Sequence, residues 1–142
     1  VAGVAAYGCP LALVDLGTAI TLDVVDPSGA YLGGAIAPGL AVSMETLFAR
    51  TAKLPQVSLE APKRVIGRST LESIRSGIVY GYAGLIDALV DRVFEELGTR
   101  CPVVATGGHA AILAKHSRNP VQVDPWLTLK GLRLLYLRNA PR

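Results

Sequence analysis

Two short runs in this chain combine residue types suited to holding phosphate. Asp15-Leu16-Gly17-Thr18-Ala19 sets an acid, a glycine and a hydroxyl in succession at the end of an apolar run. Backbone N–H groups freed by Gly17, together with the Thr18 hydroxyl, can donate to phosphate oxygens, while the Asp15 carboxylate can hold a cation that neutralises phosphate charge. The same residues also suit a tight hairpin, with Gly17 at the turn and Asp15 capping it. The second run is Thr106-Gly107-Gly108, between an apolar run and a helical pattern. Its glycines would let a ligand approach a helix N-terminus, whose dipole favours negative charge. An ordinary strand-to-helix turn with Thr106 as N-cap accounts for it as well.

Positioning these runs requires strands that end where they begin. Residues 11–15 and 20–25 read as strands, and a third starts at Tyr31-Leu32 after the turn residues Asp26-Pro27-Ser28-Gly29. Asp26 is turn chemistry, and Asp23 shares a side with Asp15 only if the second strand pairs in simple register. No role is assigned to Asp23. Gly33-Gly34 and Pro38-Gly39 read as a permissive stretch before a helix over residues 42–50, starting near Ser43. Ser69, three residues before Glu72, predicts the start of a long helix through a capping box, and Gly98 predicts its end.

Leu71, Ile74, Ile78, Tyr82, Leu85, Leu89, Val93 and Leu97 mark that helix's expected inward face. Gly77, Gly81 and Gly84 on the same helix each cost about 1 kcal/mol relative to alanine, so close approach of another helix or backbone is expected there. Strands are predicted over residues 103–105 and 121–123, and helices over 110–115 and 127–139, the last with Leu132, Leu135 and Tyr136 inward and Trp126 as its anchor. His109 reads as a helix-start histidine facing solvent, and His116 as a helix-end cation.

Composition narrows the classes of function. The 142 residues are 51% hydrophobic and 18% charged, enough for one α/β domain with a full core. A net charge of +3, with no basic cluster longer than Lys63-Arg64, does not indicate a nucleic-acid footprint, though a small anionic ligand remains compatible. The apolar opening, residues 1–14, contains Gly3, Gly8 and Pro10 and falls short of the roughly 20 residues of a membrane span. It reads as buried structure following an internal cut. Cys9 and Cys101 lack a CxxC or histidine partners and read as core residues in a reducing, cytoplasmic protein.

The two phosphate-suited runs lie about ninety residues apart, joined in order by Gly33-Gly34-Ala35-Ile36-Ala37-Pro38-Gly39, Thr51-Ala52-Lys53-Leu54-Pro55, Ile66-Gly67-Arg68-Ser69-Thr70 and Ser76-Gly77-Ile78. This succession resembles the type III pantothenate kinases over almost the whole chain. The resemblance implies one half of an actin- or hexokinase-like, ribonuclease H-like kinase fold in βββαβαβα order, with residues 1–142 forming the C-terminal domain of a two-domain enzyme. It implies ATP-dependent phosphorylation of pantothenate, the first step of coenzyme A biosynthesis, in a cytoplasmic homodimer. Asp15 would bind a monovalent cation, K+ or NH4+. Gly17 and Thr18 would contact ATP, with Gly107 and Gly108 near its adenosine side, and Thr70 would contact pantothenate.

The general base and the DxGN motif that helps place Mg2+ are expected upstream of Val1, so the segment alone should lack detectable catalysis. A non-catalytic nucleotide-binding regulator, or another small-molecule kinase of the same superfold, stands as the alternative.

Overall fold

A computed structural model describes residues 1–50 and 58–140. The elements run α1 (Ala2–Tyr7), β1 (Leu11–Leu16), β2 (Ala19–Val25), β3 (Tyr31–Pro38), α2 (Leu40–Arg50), α3 (Thr70–Leu97), β4 (Val103–Thr106), α4 (Ala110–Ala114), β5 (Val121–Val123) and α5 (Leu127–Asn139). The predicted order is borne out, preceded by α1. The Thr51-Ala52-Lys53-Leu54-Pro55 run lies outside the described residues.

One five-stranded sheet, ordered β3-β2-β1-β4-β5, organises the chain. The β1/β2 and β2/β3 pairs are antiparallel, as short turns permit, and the β1/β4 and β4/β5 pairs are parallel, with helical crossovers. Alternation along β1 divides the molecule into two layers. Ala12, Val14 and Leu16 face a core with Ile20, Leu22, Leu40, Ile86, Val90, Val103, Ala105 and Leu113, under α2, α3 and α4. Leu11 and Leu13 face the other side, where Ala2, Val104 and Leu127 close a smaller core under α1 and α5. Among the described residues no helix is long and apolar enough to cross a membrane.

The caps of α3 form as the sequence predicts. Ser69 Oγ accepts from the Glu72 N–H at 3.2 Å, and Gly98 closes the helix in the left-handed region at φ 65°. The Glu72 carboxylate reaches back one residue further than a standard capping box, accepting from the Arg68 N–H at 2.8 Å. The buried stripe of α3 is Ser76, Val79, Ala83, Ile86, Asp87 and Val90, one position away from the expected bulky series. Ile78, Tyr82, Leu85, Leu89 and Val93 instead flank it, partly buried.

Other expectations are corrected. β3 continues through Gly33-Gly34 to Pro38, because β2 passes so close that a Cβ on Gly34 would sit 1.7 Å from the Leu22 carbonyl oxygen. Helix α2 starts at Leu40 rather than near Ser43. Gly77, Gly81 and Gly84 have nothing of this chain within 4 Å of an added Cβ, so no neighbour among the described residues offsets their cost. Leu132, Leu135 and Tyr136 are exposed, and α5 buries Leu127 with Leu134 packed behind it. Trp126 is 62% exposed and occupies the N-cap position of α5 without anchoring it. Of the opening segment, residues 1–14, Ala2, Gly3, Leu11, Ala12 and Val14 are buried as expected, while Val1, Ala5, Ala6 and Gly8 are exposed.

Candidate functional site

Parallel pairing brings the two glycine turns together. β1 and β4 end side by side, with Asp15 opposite Thr106, and each then leaves the sheet through a glycine. The His109 N–H donates to the Leu16 carbonyl at 3.4 Å, stitching the second turn to the first. Gly107, at φ 95°, passes so close that a Cβ there would lie 2.7 Å from both Asp15 Oδ1 and the Leu16 carbonyl oxygen. Only glycine fits that approach in that conformation. Gly108 has open space around it and no such constraint.

The first turn is tied from a third side. The Gly17 N–H donates to the Ala19 carbonyl at 3.1 Å, and the Gly39 N–H donates to the Thr18 carbonyl at 3.0 Å. A Cβ on Gly39 would come within 2.3 Å of the Gly17 and Thr18 carbonyl oxygens, so Pro38-Gly39 is a structural part of the site, a role the sequence reading did not give it. The Thr18 side chain stands exposed at the tip of the hairpin.

Asp15 belongs to a cross-strand row. Register places Thr21 and Thr106 on either side of it, on the face turned toward α1 and α5, and Asp23 one step back opposite Leu13. The simple register that Asp23 required is thus present, and Asp23 accepts from the Tyr31 hydroxyl at 2.9 Å. Thr21 was missed, although its place two residues before Asp23 put it on the same strand face. Asp15, Thr21, Asp23 and Thr106 line a hollow of about 300 Å³ with residues of α1 and α5.

The Asp15 carboxylate is half-buried and has no hydrogen-bond or ion-pair partner among the described residues. Among those residues no three His, Cys, Asp or Glu side chains gather as metal ligands. The Asp15 carboxylate between the Thr21 and Thr106 positions, with Asp23 lining the same hollow, offers hard oxygen donors of the kind that suit a hard cation.

The flank of this row is braced by Asp124, which is buried and accepts from Lys130 Nζ at 2.7 Å, from the Tyr7 hydroxyl at 3.0 Å and from the Trp126 N–H at 3.1 Å. The Lys130 ammonium, with the Tyr7 and Trp126 hydrogen bonds, holds its carboxyl below the usual carboxylate range. Burial pushes the Tyr7 hydroxyl up, and its bond to Asp124 adds to that. The Asp124 N–H donates to the Ala105 carbonyl, so the brace reaches the residue before Thr106.

Thr70 stands apart as the exposed first residue of α3. A short connection, residues 98–102, joins the C-terminus of α3 to the start of β4, so Thr70 lies at the end of the molecule where β1 and β4 finish. It precedes Ile78, the first α3 residue packed on the main core, by eight residues, an overhang of about 12 Å at the rise of an α-helix. His109 is half-buried rather than solvent-facing, and its buried Nδ1 has no hydrogen-bond partner among the described residues. It lines an open concavity of about 600 Å³ against Met44, Glu45 and Phe48 of α2. His116 packs edge-on against Tyr80 at 5.2 Å between ring centroids.

The chain is similar to known proteins in sequence and in fold. The sequence profile described as type III pantothenate kinase matches residues 1–92. Over 133 residues the chain is 53% identical to the type III pantothenate kinase of Anaeromyxobacter sp. (strain Fw109-5), covering 94% of this chain and 52% of that one. It is 50% identical to that of Pelobacter propionicus over 139 residues, covering 98% and 55%. The chain thus spans about half the length of the curated relatives it matches. Among solved structures, a protein from Campylobacter jejuni described as a Baf family transcriptional activator superposes with a TM-score of 0.66 at 25% identity, covering 97% of this chain and 61% of that one. The Alp12 filament superposes with a TM-score of 0.61 at 13% identity, covering 92% and 48%, a likeness of fold alone.

Proposed function

Because this chain belongs to the type III pantothenate kinase family, we propose that residues 1–142 are the C-terminal domain of an enzyme that transfers the γ-phosphoryl group of ATP to the primary hydroxyl of pantothenate. The observation that carries this is the meeting of the Asp15–Thr18 and Thr106–Gly108 turns at the ends of two parallel strands, around an unpartnered carboxylate. The Thr18 hydroxyl would face the phosphates, beside Gly17, whose own N–H is held by the Ala19 carbonyl. Asp15, flanked by Thr21 and Thr106, would hold K+ or NH4+, which neutralises part of the phosphate charge when bound. The concavity beside His109 lies where the Gly107-Gly108 turn would meet the nucleotide base. Thr70 would orient pantothenate.

In the reaction the pantothenate hydroxyl oxygen bonds to the γ-phosphorus as the bridging bond to the β-phosphate breaks and ADP leaves. The hydroxyl proton passes to a base outside this chain, where Mg2+ would also be placed, so the chain alone would turn over no substrate. Supporting a homodimer, Gly77, Gly81 and Gly84 form a small-residue face on α3 that no described residue covers. A cytoplasmic location follows from the biosynthetic role.

The test is pantothenate phosphorylation by the complete enzyme, with ATP and potassium varied. Asp15→Asn is expected to lower kcat/KM about 100-fold and remove the potassium dependence. Thr18→Ala should raise KM for ATP, and Thr70→Ala should raise KM for pantothenate, each by about tenfold, the worth of one hydrogen bond to a charged or buried group. Potassium dependence surviving Asp15→Asn would refute the cation assignment. An absence of any phosphorylated product would favour the alternative of a non-catalytic regulator, and the Campylobacter jejuni protein is described as a transcriptional activator.

A further inference from the structure

The loop leading into α3 folds back on the helix it precedes. Ser76 Oγ donates to the Val65 carbonyl, the Tyr80 hydroxyl donates to the Pro62 carbonyl at 2.7 Å, and Arg75 donates to Ser58. Gly67 lies flush on the first turn, where a Cβ would be 2.4 Å from the Ser73 nitrogen. This folding gathers cations that are dispersed in sequence. Lys63, Arg64, Arg68 and Arg75 line one concavity of about 510 Å³, together with Ile66 and Glu72.

Two acids touch this cluster, one pairing with Arg75 and one within the lining itself. Glu60 pairs with Arg75 at 3.4 Å, and Glu72 Oε2 accepts from the Arg68 backbone N–H. The side chains of Lys63, Arg64 and Arg68 have no ion-pair or hydrogen-bond partner among the described residues. A concavity with an excess of one sign of charge focuses the field and concentrates counter-ions. Lys63, Arg64, Arg68 and Arg75 outnumber the single Glu72 carboxylate in this lining, on a loop fixed by four side-chain hydrogen bonds.

We infer that the concavity formed by Lys63, Arg64, Arg68 and Arg75 binds a small oxyanion, with the exposed Ile66 against an aliphatic part of the same ligand. Guanidinium groups take carboxylate and phosphate alike in bidentate geometry, so either chemistry fills it. The inference stands on these residues and is independent of the kinase reaction.

The experiment is titration of the isotopically labelled chain, at low ionic strength, with inorganic pyrophosphate and separately with isovalerate, following backbone amide resonances. Saturable shifts at residues 63–75 are expected with one of the two, which identifies a phosphate or a carboxylate ligand. In Arg64→Gln/Arg68→Gln, both positions being exposed, the apparent Kd should rise at least tenfold while the remaining spectrum is retained; Lys63→Gln alone should raise it less. The inference fails if neither anion moves these amides saturably, if the shifts fall only at residues 15–18 and 106–109, or if the double variant binds as the parent does. Phosphorylation by the complete enzyme is read separately, so either result stands whatever the other shows.

Discussion

Gly107 and Gly108 are neighbours in one motif, and the structure assigns them opposite sensitivities. In Gly107→Ala the new Cβ lies 2.7 Å from Asp15 Oδ1, the Leu16 carbonyl carbon and its oxygen, on a backbone held at φ 95°. Left-handed backbone costs a side-chain-bearing residue about 1–2 kcal/mol. Forcing a methyl into filled space adds about 1–3 kcal/mol, because two of the three atoms met are backbone that other bonds hold in place. The sum is a loss of about 2–5 kcal/mol, or roughly 10 °C in Tm for a chain of this size. Gly108 has no atom within 4 Å of an added Cβ and no positive φ, so Gly108→Ala should be neutral or should stabilise by about 0.4–1 kcal/mol through the unfolded state. Thermal unfolding of the three proteins by circular dichroism at neutral pH measures both. A Gly107→Ala midpoint within about 2 °C of the parent, or a Gly108→Ala midpoint as low as that of Gly107→Ala, would mean that the close approach to Asp15 is not what demands glycine.

Further outcomes are expected at two residues, Asp87 and Gly81. Asp87 is 2% exposed and accepts from Ser117 Oγ, from the Arg118 and Asn119 backbone N–H groups and from Asn119 Nδ2. Asp87→Ala leaves those donors unsatisfied and should cost about 3 kcal/mol in urea unfolding, with a loss under about 1 kcal/mol counting against the network. Burial works to raise the Asp87 pKa, but these hydrogen bonds outweigh it and hold the value low. Its stabilisation is therefore full above the unfolded value of about 4 and is lost as pH falls through the lower folded value, so the parent should lose more stability below about pH 4 than Asp87→Ala does. On the open face of α3, Gly81→Ala should stabilise the isolated chain by about 1 kcal/mol, while under the proposed homodimer Gly81→Leu in the complete enzyme should shift a sedimentation profile toward monomer. An unchanged dimer with Gly81→Leu would remove α3 from the interface.

The parts legible in the sequence were those where one residue type answers one local demand. Ser69 and Gly98 ended α3 where they were placed, and Asp26 closes its turn by accepting from the Ser28 and Ala30 N–H groups. The meeting of the two glycine turns could not be read from either alone, because parallel pairing of β1 with β4 depends on the crossover through α3. The buried stripe of α3 was misread because Ser76 and Ala83, which let neighbours pack closely, carry little hydrophobic signal beside bulky Leu85 and Leu89. In α5, leucines at 127, 129, 132, 134, 135 and 137 occupy several faces, so spacing cannot choose the inward one. Gly33-Gly34 looked like a break because glycine weakens strands, whereas here the crowding of β2 against β3 requires Gly34.

Thr70 stands about 12 Å along α3 from Ile78. Over that arm a tilt of about 5° would carry Thr70 about 1 Å, a misplacement that can cost roughly 100-fold in rate when the displaced group positions a substrate. The loop pinned through Ser76, Tyr80 and Arg75 then acts as a strut beneath that arm. Substitutions in the strut would change how accurately Thr70 is held while leaving every residue at the strand ends untouched.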